Sequence, residues 1–152
     1  DLGVALAATG DDFGAMTALR AAAVRLPRSA RAHYHYGLAS ARGGAGDRAL
    51  RELREAVRLD GTWVDARVAL GRALFREGQP IAAADALNEA LRQAPDRPGL
   101  HYELGRALHL AGSVHAAMEE YRAELRRDPR HPGARERLGL AQAELAGGWR
   151  FE

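Results

Sequence analysis

Lysine and cysteine are both missing from this chain, aromatic residues make up 6% of it, and no long apolar run occurs. Each absence removes a class of function. Without lysine there is no P-loop lysine, no Schiff-base lysine and no kinase-type lysine. Without cysteine neither a disulfide framework nor a thiolate metal site can form, and the compartment stays open, with cytoplasm favoured over periplasm as an expectation. No segment approaches the ~18 consecutive apolar residues of a membrane-spanning helix. The three serines, Ser29, Ser40 and Ser113, stand in no nucleophile-elbow pattern. Gly43-Gly44-Ala45-Gly46 follows a helical stretch and lacks the Lys-Ser/Thr pair of a phosphate cradle, so it reads as a turn. Neither catalysis nor a cofactor is expected.

What remains is a chain built to fold. Its 152 residues suit one compact domain, and 47% hydrophobic content can fill a core. All 22 basic residues are arginine and they face 20 acidic residues, for a formal net charge of +2. The high pI, near 9.5, follows from a small arginine excess that moderate pH cannot titrate away. It is no nucleic-acid signature, because the acidic residues nearly cancel the attraction for phosphates. Alternating charges such as Arg51, Glu52, Arg54, Glu55 and Arg58 read as solvated helix faces. His33 and His35 point roughly 200° apart on a helix and so cannot share a metal. No metal site is expected. The chain does not begin with Met, and an upstream continuation is expected.

A fixed period governs the whole sequence. Gly3, Gly37, Gly71, Gly105 and Gly139 follow one another at intervals of 34, as do Gly10, Gly44, Gly78 and Gly112. Between these columns run Ala15, Ala49, Ala83 and Ala117, then Leu19, Leu53, Leu87 and Tyr121, then Ala22, Ala56 and Ala90, with Glu124 breaking the last series. Pro27, Gly61, Pro95 and Pro129 close the units. Within a unit the apolar residues recur at helical spacing, as in Ala83, Ala86, Leu87, Ala90 and Leu91. Small residues such as Gly71 and Ala83 let paired helices approach, and large ones such as Leu70, Leu74 and Leu87 fill the space beside them. The second glycine column falls where a first helix stops, in a conformation that costs glycine least. Proline ends the second helix. Each unit is therefore helix, turn, helix, turn, with helices expected near 1–9, 12–26, 30–42, 47–59, 64–77, 80–93, 98–110, 114–127 and 132–146.

These columns resemble the tetratricopeptide repeat family. Leu70-Gly71, Leu74, Ala83, Leu87, Ala90 and Pro95 fit its pattern best, and Leu104-Gly105, Leu108, Ala117, Tyr121 and Pro129 fit next. The usual leading Trp is replaced by His33, Arg67, His101 and Arg135, and the usual aromatic of the second helix is Leu in three units. The resemblance implies an all-α, right-handed superhelical solenoid of antiparallel helix pairs. It covers residues 1–152 as one domain, with units near 1–29 (truncated at its start), 30–63, 64–97 and 98–131, then a capping helix over 132–146 and a tail. Trp149 and Phe151 of that tail are expected to pack on the end of the array or to lead into a further region.

The resemblance also implies a function: a protein–protein interaction scaffold that binds a partner's peptide segment in a concave groove lined by first helices. On that face stand Tyr34, Leu38 and Ala41; Val68, Arg72 and Phe75; Tyr102, Arg106 and His109; and Glu136 with Leu140. Each full set keeps i, i+4, i+7 spacing. Aromatics beside arginines have the composition of an interface anchor, so the expected ligand is an acidic or carboxylate-bearing peptide with an apolar anchor. The alternatives are a structural spacer or oligomerisation arm of a larger bacterial enzyme or regulator, with self-association left open, and an RNA-binding helical repeat. The chaperone-tail subtype is excluded, because its lysine and asparagine clamp has no counterpart in a chain whose one asparagine is Asn88.

Overall fold

The computed structural model describes residues 12–147. Among them stand eight α-helices and no strand: α1 (Asp12–Arg25), α2 (Ala30–Arg42), α3 (Gly46–Leu59), α4 (Val64–Arg76), α5 (Pro80–Gln93), α6 (Leu100–Leu110), α7 (Val114–Arg127) and α8 (Pro132–Gly147). The fold is all-α, as the period implied. The helix expected over 1–9 and the packing expected of Trp149 and Phe151 lie outside the described residues. The chain divides into two compact bodies, residues 1–77 and 78–152.

The helix boundaries have local causes. Ser29 caps α2, its hydroxyl oxygen accepting from the Ala32 N–H at 3.2 Å. Pro80 opens α5, where its missing N–H costs nothing. Gly44, Gly78 and Gly112 take positive φ of 75°, 69° and 82°, so all three turn glycines adopt the left-handed geometry expected of them. Most boundaries fall within one residue of expectation, and one differs by two. The sixth helix starts at Leu100 instead of near 98, because Gly99 itself lies at φ +77°.

In the first body, α1 packs on α2 through Leu19, Ala23, Ala32, Tyr36 and Ala39. Then α2 packs on α3 through a notch: a Cβ placed on Gly37 would fall 2.7 Å from Leu53 Cγ. Leu53 is fully buried. The second body repeats the device with a larger knob, since a Cβ on Gly105 would fall 2.6 Å from the Tyr121 ring. Glycine in each place admits a side chain that alanine would push away.

The four residues standing where the family usually has Trp work largely as tethers. His33 sets Nδ1 2.7 Å from Glu52 Oε2 and Nε2 3.2 Å from the Pro27 carbonyl oxygen. His101 Nδ1 makes the same 2.7 Å contact with Glu120 Oε2. Arg67 donates to the Gly61 carbonyl at 2.6 Å and Arg135 to the Pro129 carbonyl at 2.7 Å. At His33, Arg67 and Arg135 the side chain reaches six residues back and ties the incoming turn to its helix.

Candidate functional site

In the first body, Tyr34 of α2 rests its ring on Trp63, centroids 4.5 Å apart, and on His35 at 5.2 Å. Trp63 is the N-cap residue of α4, so the stack joins the middle of α2 to the start of α4. His35 is held below the usual histidine range, first by burial and then by the charges of Arg31 and Arg42. Leu38 and Phe75 are half-buried and Arg72 is exposed.

Val68 departs from the expected face. At 1% exposure it lies in the interior, together with Ala66, Ala69, Leu70, Ala73 and Leu74 of the same helix. It shares a repeat position with Tyr34 and Tyr102, which are themselves half-buried. At this position a tyrosine is long enough to bring its ring out over the start of a following helix, whereas a valine ends inside. Val68 cannot touch a ligand without local opening.

In the second body, α6 places Tyr102, Arg106 and His109 together. The Tyr102 ring stacks on His131 at 4.6 Å, the counterpart of the contact between Tyr34 and Trp63. Its hydroxyl lies against Gly133, where a Cβ would fall 2.7 Å away. The Arg106 guanidinium sits 5.7 Å from the Tyr102 ring centroid. His109 Nε2 is 2.8 Å from Glu144 Oε2 of α8. Beneath them Tyr121 is fully buried. Burial pushes its hydroxyl up to about 12, with Arg137 pulling the other way. Among the described residues neither this hydroxyl nor His109 Nδ1 finds a hydrogen-bond partner.

Glu124 shows in the sequence only as the break in an alanine column. It is 2% exposed, and its carboxylate accepts from the Gly99 N–H at 3.0 Å and the Tyr102 N–H at 3.3 Å. Gly99 has no side chain with which to cap α6, and the carboxylate of α7 does so in its place. Glu124 thereby fixes the backbone that presents Tyr102. Sequence reasoning misses Trp63 and His131 as well. The signal for all three is a departure from the period, or a ring placed just before a helix. Among the described residues no group of three or more His, Asp or Glu side chains could hold a metal ion, and no helix is long and apolar enough to cross a membrane.

Helix pairs with glycine notches, left-handed turn glycines at a spacing of 34, and aromatics presented by first helices define a helical-repeat protein. The sequence profile of the tetratricopeptide repeat matches residues 1–62 and 68–132. The chain belongs to the tetratricopeptide repeat family, whose members are generally non-enzymatic scaffolds for protein–protein interaction. Solved structures agree. A crystal structure of MamA superposes with a TM-score of 0.90 at 28% identity, covering 97% of this chain and 85% of that one. MamA from Desulfovibrio magneticus RS-1 gives 0.89 at 20%, over 95% and 81%. YrrB, described as a tetratricopeptide repeat protein with an unusual peptide-binding site, gives 0.86 at 21%, over 95% and 74%. No curated protein matches the sequence.

Proposed function

We propose that this chain is a non-catalytic scaffold that binds a peptide segment of another protein on the first-helix faces of its two bodies. The observation that carries the reading is the recurrence of one arrangement: Tyr34 on Trp63 in the first body and Tyr102 on His131 in the second. Both tyrosines are half-buried, so each ring is held in place while part of it still meets solvent. An aromatic immobilised before binding loses little side-chain entropy on contact, which is how interface anchors gain affinity. Arg72 and Arg106 stand at equivalent repeat positions, and Arg106 lies over the Tyr102 ring. Guanidinium beside an aromatic reads a carboxylate and an apolar group together. An acidic peptide with an apolar anchor is the ligand class this favours.

The contact set of this proposal is Tyr34, Leu38, Arg72, Phe75, Tyr102 and Arg106. His109 stands behind them, held by Glu144. Replacing both arginines, Arg72→Glu with Arg106→Glu, is expected to weaken an acidic peptide selected against the parent chain by more than tenfold, with helix content unchanged. Peptide titration followed by anisotropy measures this. Equal affinity for both proteins would move the binding surface elsewhere.

A further inference from the structure

Two apolar columns of the period acquire a polar atom in the same unit. The knob column reads Leu19, Leu53 and Leu87 before Tyr121, and a first-helix column reads Ala41 and Phe75 before His109. The structure brings the two exceptions together, their rings edge to face with centroids 6.3 Å apart. In the first body the notch at Gly37 ends on the Cγ and Cδ2 of Leu53. In the second, the notch at Gly105 takes the Cδ1–Cε1 edge of Tyr121, so the hydroxyl runs on past it. Besides burial, Arg137 of α8 and Tyr102 and Arg106 of α6 act on that hydroxyl, which places it between α6 and α8. Tyr121 is fully buried, and among the described residues neither its hydroxyl nor His109 Nδ1 has a hydrogen-bond partner. Leucine fills the same place in the first body, so packing alone does not call for the hydroxyl.

The contact at the far end of the imidazole determines what Nδ1 can do. Nε2 lies 2.8 Å from Glu144 Oε2, and a carboxylate only accepts, so Nε2 carries the hydrogen. In the neutral ring Nδ1 is then an acceptor. The Tyr121 hydroxyl, kept protonated by burial, is a donor. Adjoining rings thus offer one unmet acceptor and one unmet donor. A primary carboxamide is their complement, because it carries its own donor and acceptor on separate atoms. A carboxylate would set a lone pair against Nδ1, and an aliphatic side chain would leave both groups unmet.

We propose that the second body reads an asparagine or glutamine side chain of its bound peptide, whose amide N–H donates to His109 Nδ1 and whose carbonyl oxygen accepts from the Tyr121 hydroxyl. The inference rests on the peptide-binding reading above and adds a residue to it, an amide beside the acidic group that Arg106 meets. Both atoms are covered in the chain alone. The amide enters by a swing of the His109 ring, whose side chain is 19% exposed and whose partner Glu144 is 40% exposed. Ala41 and Leu53 hold the two columns in the first body, which therefore has no such preference.

The test selects short peptides from a random phage library on the 152-residue chain and, in parallel, on its Tyr121→Phe variant. Peptides from the parent are expected to share Asn or Gln at one position relative to an acidic residue, and those from the variant to lack it. For a selected peptide followed by anisotropy, changing that residue to Ala should weaken binding to the parent about tenfold and leave binding to Tyr121→Phe nearly unchanged. His109→Phe, which installs the residue type of Phe75, should abolish the same discrimination. Where His109→Phe disturbs folding, Tyr121→Phe decides alone, since it removes one oxygen and leaves the ring in its notch. Three outcomes overturn the inference: no shared Asn or Gln among the parent's peptides, the same discrimination in a folded variant, or tighter binding when Asp or Glu replaces the amide. Each leaves the first-helix faces as the binding surface, which Arg72→Glu with Arg106→Glu tests separately. A parent chain that selects no peptide overturns both readings.

Discussion

Helices α6 and α8 occupy the same place in successive repeats, yet their glycines meet opposite surroundings. Gly105 of α6 faces the Tyr121 ring and the Ala117 carbonyl oxygen, the latter 3.2 Å from an ideal Cβ. Gly139 of α8 faces open space among the described residues. One residue type thus answers two demands. At Gly105 the absence of a side chain is used for close packing, and its conformational freedom is a cost outweighed by the buried tyrosine. At Gly139 the cost remains with no packing to offset it, inside a helix where glycine is a poor former. The repeat wrote the same letter twice, and the neighbouring helix determines what that letter is worth.

The comparison is broken most sharply by changing both glycines alike. Gly105→Ala should destabilise by ~1–3 kcal/mol, since the added methyl would strike ring carbons of a side chain that is itself fully buried. Gly139→Ala should instead stabilise by roughly 0.5–1 kcal/mol, the helix-propensity difference alone. Denaturant midpoints decide the sign, and a loss of stability at both sites would show that α8 is packed as tightly as α6.

Glu124 sharpens the same contrast, because α6 depends on a long-range cap whereas α8 has one close at hand, His131 Nδ1 accepting from the Ala134 N–H at 3.1 Å. Glu124→Ala leaves the part-buried Gly99 and Tyr102 N–H groups without their acceptor and should cost about 2 kcal/mol. Glu124→Gln keeps a carbonyl acceptor and should cost less. If urea midpoints for the two variants coincided with the parent, the carboxylate would not be holding the start of α6.

The remaining effect concerns Tyr121. Tyr121→Phe removes a buried hydroxyl that has no hydrogen-bond partner among the described residues and should raise stability by about 1 kcal/mol. The folded chain keeps the phenol protonated to about pH 12 against an ordinary value of 10.0. The unfolded chain loses that proton first, so the stability is intact below pH 10 and drains away as pH rises from there toward the folded value. Thermal midpoints of Tyr121→Phe should decline less over that alkaline window than those of the parent, and identical declines would assign the pH response to another group.

Much of this molecule is legible in its amino-acid sequence. The period of 34 places the helices and turns, and Gly44, Gly78 and Gly112 take the backbone geometry their column demands. The candidate faces are legible only in outline. Tyr34, Tyr102 and Arg106 can be assigned to one stripe by spacing, but Val68 shares that spacing and is buried. Helical periodicity gives direction around an axis. It does not say how far a side chain must reach to clear its neighbours, and valine falls short where tyrosine does not. The partners of Glu124 lie 25 and 22 residues earlier, and nothing local to α7 announces them.

The sequence by itself determined the repeat, the all-α class and the membership of a binding family, because 34-residue periodicity and turn chemistry act within a few residues of each position. Tertiary structure alone decided which notch is filled, which carboxylate caps which helix, and which aromatic is stacked and which apolar residue buried. Those outcomes depend on distances between side chains far apart in the chain. Gly105 and Gly139 are identical in the sequence and become different only when Tyr121 arrives at one of them and no described side chain arrives at the other.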